Sequence, residues 1–281
     1  MRVGVCVLTD LPWAEAEPVW QEIEDLGYHH AWTYDHLIWD PMNSEKWYST
    51  VVTLAGVAAV TSRIPLGFWV SSPNFRHPAA FARELVGLQD LSGGRILCGV
   101  GSGGEPDAQV LGEELSRGAR TRRLREFMEV LGRSLAEDHV NHDGEFYRVV
   151  DYRNVAGLDQ APPKLIVAAN GPRALQLAVE HEAWATTGLG GESVDEWWEN
   201  IAKLRRMADE AGGEGIDSYL YLDSAPRFSL DSAEFCLDQI GRAEELGFTD
   251  VVLTWPRGSW PYEGNPDVVR EVASKLRLNG N

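Results

Sequence analysis

Short runs of β-prone residues alternate with amphipathic helical runs along the chain, and this alternation is the feature that most restricts its fold. The strands are predicted at residues 3–8, 30–34, 64–70, 96–100, 165–168, 183–186, 219–222 and 251–254. Because strands that alternate strictly with helices run parallel, eight consecutive units favour closure into a ring. The sequence therefore predicts an α/β protein of the (β/α)8 barrel type.

The helices are predicted from apolar residues at helical spacing and from their end signals. They are expected at residues 12–26, 49–61, 78–91, 118–137, 172–181, 194–211, 231–246 and 266–276. Ser193 and Glu196 form a capping-box pattern at one helix start. Asn265 followed by Pro266 is typical of a second helix start.

An extra segment, residues 141–150, follows the fourth of these helices and contains Asp143-Gly144. Asp-Gly is a preferred hairpin turn, so the segment is predicted to be a β-hairpin inserted into the barrel. No proline- or serine-rich linker divides the chain, and residues 1–281 are therefore interpreted as a single domain with a short insertion.

Charge and cysteine content exclude several classes of protein. The formal net charge of -18 is spread along the sequence, whereas phosphate contacts need clustered Lys and Arg, so nucleic-acid binding is disfavoured. Cys6, Cys98 and Cys236 lack a CxxC spacing, which favours buried thiols in a reducing compartment. No apolar run approaches the length of a membrane span, and we expect a cytoplasmic protein without membrane contact.

The end of the second strand carries Tyr34-Asp35-His36, with Trp39 close behind. In a parallel barrel the carboxyl ends of the strands form the active-site face. Histidine is the usual acid/base group near neutral pH, although it is also common in ordinary loops. Adjacent residues of a strand face opposite ways, so one member of the Asp35/His36 pair is expected to support the other.

The third strand ends in Trp69-Val70-Ser71-Ser72, before Arg76. Aromatic residues alternating with small ones could form a floor for a flat ring, and the two serines could donate hydrogen bonds to its carbonyl edge. A buried barrel strand ending in a proline turn is the alternative explanation.

A glycine loop, Gly99-Val100-Gly101-Ser102-Gly103-Gly104, follows the fourth strand. Its letters satisfy G-x-G-x-x-G, but the position after the fourth strand and Pro106 disfavour a dinucleotide-binding turn. A loop whose backbone approaches a ring or a phosphate is the better functional interpretation, and a plain flexible turn is the other.

Two further strand ends carry polar groups. Ala169-Asn170-Gly171 leads directly into a helix, so its amides could bind a phosphate at the helix N-terminus. Thr187 follows the sixth strand and could add a hydroxyl donor. Both segments could equally be ordinary turns.

Other catalytic constellations are not apparent. The histidines form no i, i+4 ligand pair with a matching carboxylate, so no metal is predicted. The G-x-S-x-G elbow of serine hydrolases does not occur.

Taken together, these segments resemble the luciferase-like monooxygenase superfamily, and within it the oxidoreductases that use the deazaflavin coenzyme F420. The matching stretches are residues 34–36, 76–78, 90–103 and 168–172, in the family's order, of which Leu91 to Gly103 is the most specific. The resemblance implies a (β/α)8 barrel with the cofactor ring at the strand C-termini.

The same resemblance implies roles for individual residues. Asp35 and His36 would face the reactive carbon of the ring, and Trp69-Val70 would hold a non-proline cis peptide behind it. Ring or phosphate contacts are implied for five further positions: Ser72, Gly101, Gly103, Asn170 and Gly171. Ser71, Ala169 and Thr187 are added as candidate cofactor contacts because they stand at the same strand ends.

The chain departs from the F420-dependent sugar-phosphate dehydrogenases at three points. Leu189 stands where their substrate-phosphate lysine would fall, which disfavours a sugar phosphate. Trp39 lies three residues beyond His36, whereas their catalytic aromatic lies four beyond. Their catalytic glutamate matches Glu105 as a proton donor only if one glycine is inserted.

The leading hypothesis is an enzyme that moves a hydride between F420 and a small organic substrate, with His36 polarising or protonating the reacting oxygen and Asp35, Trp39 and Glu105 beside it. The nearest alternative is an FMN-dependent monooxygenase acting with molecular oxygen on the same barrel. A barrel that binds an anionic ligand without catalysis is a third possibility. Family analogy implies a homodimer.

Overall fold

The computed structural model describes residues 1–42, 44–154 and 161–278. Within these residues eight strands are hydrogen-bonded in a closed ring, and two further strands form a separate sheet. Around the ring the strands follow one another in the order 2–6, 250–254, 217–221, 183–186, 164–168, 96–100, 66–71 and 30–33. Helices alternate with the barrel strands along the chain. The predicted (β/α)8 barrel is therefore confirmed.

The barrel strands are β1 (Arg2–Cys6), β2 (His30–Thr33), β3 (Leu66–Ser71), β4 (Ile96–Val100), β7 (Lys164–Ala168), β8 (Ala183–Thr186), β9 (Asp217–Tyr221) and β10 (Asp250–Thr254). The helices are α1 (Trp13–Asp25), α2 (Thr50–Val60), α3 (Pro78–Ser92), α4 (Glu105–Val110), α5 (Arg117–Ala136), α6 (Pro172–Glu180), α7 (Val194–Glu210), α8 (Ala233–Glu245) and α9 (Pro266–Leu276).

The observed ends lie close to the predicted ones, and the caps explain several of them. Ser193 Oγ accepts the Glu196 N–H at 3.2 Å, and Asn265 Oδ1 accepts the Asp267 N–H at 2.9 Å. Helix α8 begins later than predicted because Ser232, not a residue before Asp231, is its N-cap.

Helix α4 was not predicted. Pro106, which counted against a dinucleotide-binding turn, lies in the first turn of α4, where its missing N–H costs no hydrogen bond. Acidic residues at the first turn also suit the positive end of the helix dipole.

The chain divides into two compact units, and the prediction of a single domain stays a prediction. The first unit comprises Met1–Leu8, Ala14–Trp32 and the chain from Ile166 onward. Within it β10 pairs in parallel with β1 and β9, and β8 pairs with β7 and β9. Its apolar core contains the fully buried side chains of Trp20, Ile23, Trp184 and Trp197.

The second unit comprises Thr9–Trp13 and Thr33–Leu165. Strands β3 and β4 pair in parallel, with a register irregularity between Phe68 and Ser71. Within that stretch the peptide bond between Trp69 and Val70 is cis, as the family resemblance predicted.

The predicted hairpin is confirmed as β5 (His139–Asp143) and β6 (Arg148–Arg153), which pair antiparallel. Its turn is tied to α5 by Glu126, whose carboxylate accepts the Tyr147 N–H at 2.8 Å and meets His142 Nε2 at 3.1 Å. A side chain at Gly144 would place its Cβ 2.1 Å from Glu126 Oε1, so the turn needs glycine there.

The cysteines Cys6, Cys98 and Cys236 are free and buried, as predicted. Burial raises the pKa of Cys6 well above its ordinary value, so this thiol is held protonated and unreactive. In the part of the chain that the structure describes, no helix is both long enough and apolar enough to cross a bilayer.

Candidate active site

His36 follows the end of β2, and its imidazole is held by a buried carboxylate. His36 Nδ1 lies 2.7 Å from Asp107 Oδ2. The His36 side chain is 25% exposed, whereas that of Asp107 is 1% exposed. Among the described residues His36 Nε2 has no hydrogen-bond partner, so one ring nitrogen is fixed and the other is available.

Asp107 comes from α4 and also fixes the backbone beside His36. Its Oδ1 accepts the N–H groups of Leu37 at 2.8 Å and Ile38 at 3.1 Å. Trp47 Nε1 donates to the carbonyl oxygen of His36 at 2.9 Å. The turn that carries the imidazole is therefore clamped on both its amide and its carbonyl side.

Asp35 is fully engaged in a buried ion pair. Its carboxylate accepts the Ser71 hydroxyl at 2.6 Å and is bridged by Arg76, whose Nε and Nη2 donate at 2.7 and 2.8 Å. Arg76 is stacked over the Phe81 ring, with 4.5 Å between the guanidinium carbon and the ring centroid. Although burial opposes the charge, the hydrogen bonds to Asp35 raise the pKa of Arg76.

This arrangement distinguishes the two members of the predicted pair. Asp35 is 2% exposed and has donors on both oxygens, which suits a residue that fixes the strand end. His36 is the member that presents a free polar atom. Ser71, predicted as a donor to a ring carbonyl, instead donates to Asp35.

Aromatic rings surround the same turn. The Tyr34 ring packs edge-to-face on Trp39 at 5.1 Å between centroids and on His36 at 6.0 Å. The ring centroids of Trp39 and Trp47 are 5.9 Å apart. The predicted Trp39 is thus part of an aromatic wall beside the imidazole.

The glycine loop after β4 is pinned to the end of β3. Asn74 Nδ2 donates to the Gly104 carbonyl at 2.6 Å, and Gly101 donates to the Ser71 carbonyl at 2.8 Å. Gly103 has φ +76°, and a Cβ there would lie 2.4 Å from Asn74 Nδ2 and 2.5 Å from Ser72 Oγ. Glycine is needed at 103 for both reasons.

Arg123 of α5 supports this loop from behind. The guanidinium is buried, with Nη2 donating to Asn74 Oδ1 and Nη1 donating to Glu113 at 2.6 Å. The Ser72 hydroxyl accepts the Asn74 N–H at 3.1 Å. Ser72 and Gly103, both predicted cofactor contacts, are therefore brought together around Asn74.

Glu105 is not the carboxylate that meets His36. Its side chain is 68% exposed and pairs with Arg120 at 3.3 Å, at the start of α4. Asp107, two residues further along the helix, occupies the position beside the imidazole.

A groove of about 460 Å³ lies along α4 and the segment that follows it. Its lining includes Glu105, Gln109, Glu113 and Arg120, but neither His36 nor Asp107. The groove is thus separate from the imidazole, and its three glutamates (with Glu114) give it an acidic character.

The predicted phosphate segment belongs to the first compact unit. Asn170 uses both ends of its amide: Nδ2 donates to the Gly188 carbonyl at 2.8 Å, and Oδ1 accepts the Thr186 hydroxyl at 2.6 Å. Ala169 donates to the Ala185 carbonyl at 3.0 Å. Asn170 therefore joins the ends of β7 and β8.

Gly171 is the N-cap of α6 and has no side-chain cap, while Thr187 is exposed. The first amides of α6 are consequently left without an intrahelical acceptor.

A family model described as luciferase-like monooxygenase matches residues 1–234. The chain belongs to this family. It is 29% identical over 225 residues to an F420-dependent glucose-6-phosphate dehydrogenase of Kineococcus radiotolerans, covering 76% of this chain and 66% of that protein. The chain is accordingly an enzyme of the luciferase-like family.

Two solved structures share the fold. An F420-dependent secondary alcohol dehydrogenase in complex with an F420-acetone adduct superposes with a TM-score of 0.79 at 16% identity, covering 100% of this chain and 99% of the other. A riboflavin lyase with modified FMN superposes with a TM-score of 0.73 at 16% identity, covering 100% of this chain and 92% of the other.

Asp107 and Asn74 are the residues that sequence reasoning missed. Asp107 was missed because no helix was predicted between the glycine loop and residue 118. The Glu-Pro-Asp sequence after Gly104, with proline and acidic residues at a helix start, is the signal that could have found it.

Proposed function

We propose that this enzyme transfers a hydride between F420 and a small organic substrate, with His36 exchanging a proton with the reacting oxygen. One observation carries the proposal: an imidazole held by a buried carboxylate through Nδ1 has a free Nε2 at the carboxyl end of a barrel strand. Relatives and fold neighbours whose names include F420 support the choice of cofactor.

F420 would supply the hydride chemistry, and the protein would supply orientation and proton handling. A positioned histidine commonly accelerates such a step by about 100- to 10,000-fold. The aromatic wall of Tyr34, Trp39 and Trp47 would keep water away from the imidazole face. Asp35 and Arg76 would keep the strand end rigid beneath it.

The residues present are compatible with a flat cofactor that carries a phosphate. The close approach at Gly103 holds the backbone of the glycine loop directly against the β3 end, as a loop that supports a ring requires. The Ser72 hydroxyl accepts one hydrogen bond, so its proton remains available for donation. In the other compact unit, taken by itself, the start of α6 at Gly171 has no side-chain cap, and its N–H groups suit an anion.

The substrate is expected to lack a phosphate. Leu189, which stands where the sugar-phosphate enzymes have their lysine, is 50% exposed and offers an apolar surface instead. A cytoplasmic location and a homodimer remain predictions.

FMN is the second candidate cofactor, because a fold neighbour is named as holding a modified FMN. Separate titrations of the purified protein with F420 and with FMN, followed by cofactor fluorescence, test the choice. We expect saturable binding of F420 at micromolar concentration and at least tenfold weaker binding of FMN. Tighter binding of FMN, with oxygen consumption once it is reduced, would replace the proposal with a monooxygenase.

A further inference from the structure

Asp107 is a buried carboxylate whose three described contacts all go to the turn that carries His36. Oδ1 accepts two backbone N–H groups and Oδ2 lies 2.7 Å from His36 Nδ1. We propose that Asp107 is the positioning residue that holds neutral His36 as the Nδ1–H tautomer and so makes Nε2 the atom that exchanges a proton with the substrate. This inference rests on the proposed function and names the residue on which its proton transfer depends.

The donor and acceptor count supports this tautomer. An ionised carboxylate only accepts hydrogen bonds, so the short contact between Oδ2 and Nδ1 requires the proton on Nδ1. Oδ1 already accepts two backbone N–H groups, so both carboxylate oxygens of Asp107 act as acceptors in this arrangement. A neutral ring with its proton on Nδ1 carries its lone pair on Nε2.

The lone pair on Nε2 defines the step that His36 performs. In the oxidising direction, Nε2 would take the proton of a substrate hydroxyl as the C–H electron pair leaves as hydride and a carbonyl forms. Bound F420 would supply the hydride acceptor. The resulting imidazolium faces the Asp107 carboxylate and returns its proton to solvent. In the reducing direction, the imidazolium protonates the carbonyl oxygen as hydride arrives. Asp107 touches neither substrate nor cofactor in this scheme.

Glu105 provides the matched comparison on the same helix. Its carboxylate is two residues away in sequence, exposed, and paired with Arg120. If a negative charge near α4 were sufficient to set the His36 tautomer, Glu105 and Asp107 would be interchangeable. If the hydrogen bond to Nδ1 matters, only Asp107 sets the tautomer.

Asp107→Asn is the decisive variant. The asparagine oxygen can still accept the Leu37 and Ile38 N–H groups, so the turn keeps its backbone hydrogen bonds. Its NH2 group then faces His36 Nδ1, which must become an acceptor, and the proton moves to Nε2.

Nitrogen NMR of the cofactor-free protein, labelled with ¹⁵N-histidine, reads the tautomer directly. At a pH where His36 is neutral, its signal is identified by its loss in His36→Gln. We expect an Nδ1–H ring in the wild type, an Nε2–H ring in Asp107→Asn, and an unchanged Nδ1–H ring in Glu105→Gln. An Nε2–H ring in the wild type overturns the proposal, and this measurement does not depend on any variant folding. An Asp107→Asn protein that keeps the Nδ1–H ring also overturns it.

Kinetics with F420 then separate positioning from structure. We expect kcat of Asp107→Asn to fall by about 100-fold or more, as wrong-tautomer variants of catalytic histidines do, with KM changed by less than about threefold. A kcat within threefold of wild type would overturn the inference. If the wild type binds no F420 while its ring is Nδ1–H, the proposed function fails and the tautomer assignment stands.

Discussion

Two histidines that follow each other closely on the chain are each paired with a buried carboxylate, but with different consequences. His30, at the start of β2, has both ring nitrogens engaged: Trp32 Nε1 donates to Nδ1 at 2.5 Å, and Nε2 lies 2.9 Å from Asp250 Oδ1. Among the residues that the structure describes, His36 has a partner at Nδ1 alone, which is Asp107. A histidine paired with a buried carboxylate thus has both ring nitrogens hydrogen-bonded at position 30, whereas at position 36 it leaves Nε2 available for reaction.

The carboxylates differ in the same way. Asp250 is also bridged by Arg2, whose Nε and Nη2 donate at 2.8 and 2.7 Å. Burial opposes ionisation of Asp250, but the hydrogen bonds from His30 and Arg2 hold its pKa below the ordinary value. Burial lowers the pKa of His30, so this imidazole is neutral. The group at His30 therefore stabilises the fold, whereas the group at His36 leaves Nε2 without a partner among the described residues, as the proposed proton transfer requires.

The strongest test of this contrast is His36→Ala. Turnover is expected to fall by about 100- to 10,000-fold because the proton-exchanging group is removed. Cofactor binding and the free energy of unfolding should change little, the latter by about 1 kcal/mol for one lost hydrogen bond. Steady-state kinetics, fluorescence titration and urea unfolding measure the three quantities. Unchanged turnover would remove His36 from the reaction.

Asp250→Asn should show the opposite profile. The neutral side chain leaves Arg2 and His30 without a charged acceptor, and removal of one partner from a buried pair costs about 3 kcal/mol of unfolding free energy. Urea unfolding measures the loss, and kcat of the folded fraction should stay within about threefold of wild type. A large loss of kcat in fully folded protein would contradict the division of roles.

The pH dependence of stability offers a subtler comparison. Because the pKa of His30 is below its unfolded value of 6.5, the unfolded chain binds more protons as the pH falls below that value. The free energy of unfolding should then decrease by up to about 1.4 kcal/mol per pH unit from this residue. His30→Gln should flatten the slope between pH 6.5 and 5 in urea unfolding, and an unchanged slope would show that His30 is not the neutral group.

Trp47→Phe should have the smallest effect. It removes the hydrogen bond to the His36 carbonyl but leaves Asp107 in place. We expect kcat to fall two- to fivefold and stability by about 1 kcal/mol, measured by kinetics and thermal unfolding. Trp39→Phe, which retains an aromatic ring without touching that hydrogen bond, serves as the control.

Much of the fold could be predicted because each barrel strand and its helix are marked locally. Asn265-Pro266 and Ser193 with Glu196 define helix starts in the sequence itself, and both are observed. The same is true of Asp143-Gly144 at the hairpin turn. Hydrophobic periodicity and cap residues act over a few positions of the chain, so the elements they mark can be predicted without the tertiary structure.

The site was less predictable because it depends on partners far apart in sequence. His36 could be singled out, but Asp107 lies 71 residues away in a helix that glycine and proline concealed. Asp35 looked equally reactive until its pairing with Arg76, 41 residues on, became visible. Only tertiary contacts reveal whether a polar group is saturated.

The attachment of the inserted hairpin at its turn has a consequence for how this enzyme can vary. Glu126 meets the turn, and a side chain at Gly144 would displace the Glu126 carboxylate, whereas Val150 on β6 is 70% exposed. We therefore expect sequence changes, including a grafted epitope, to be tolerated better at Val150 than at the bend between the strands.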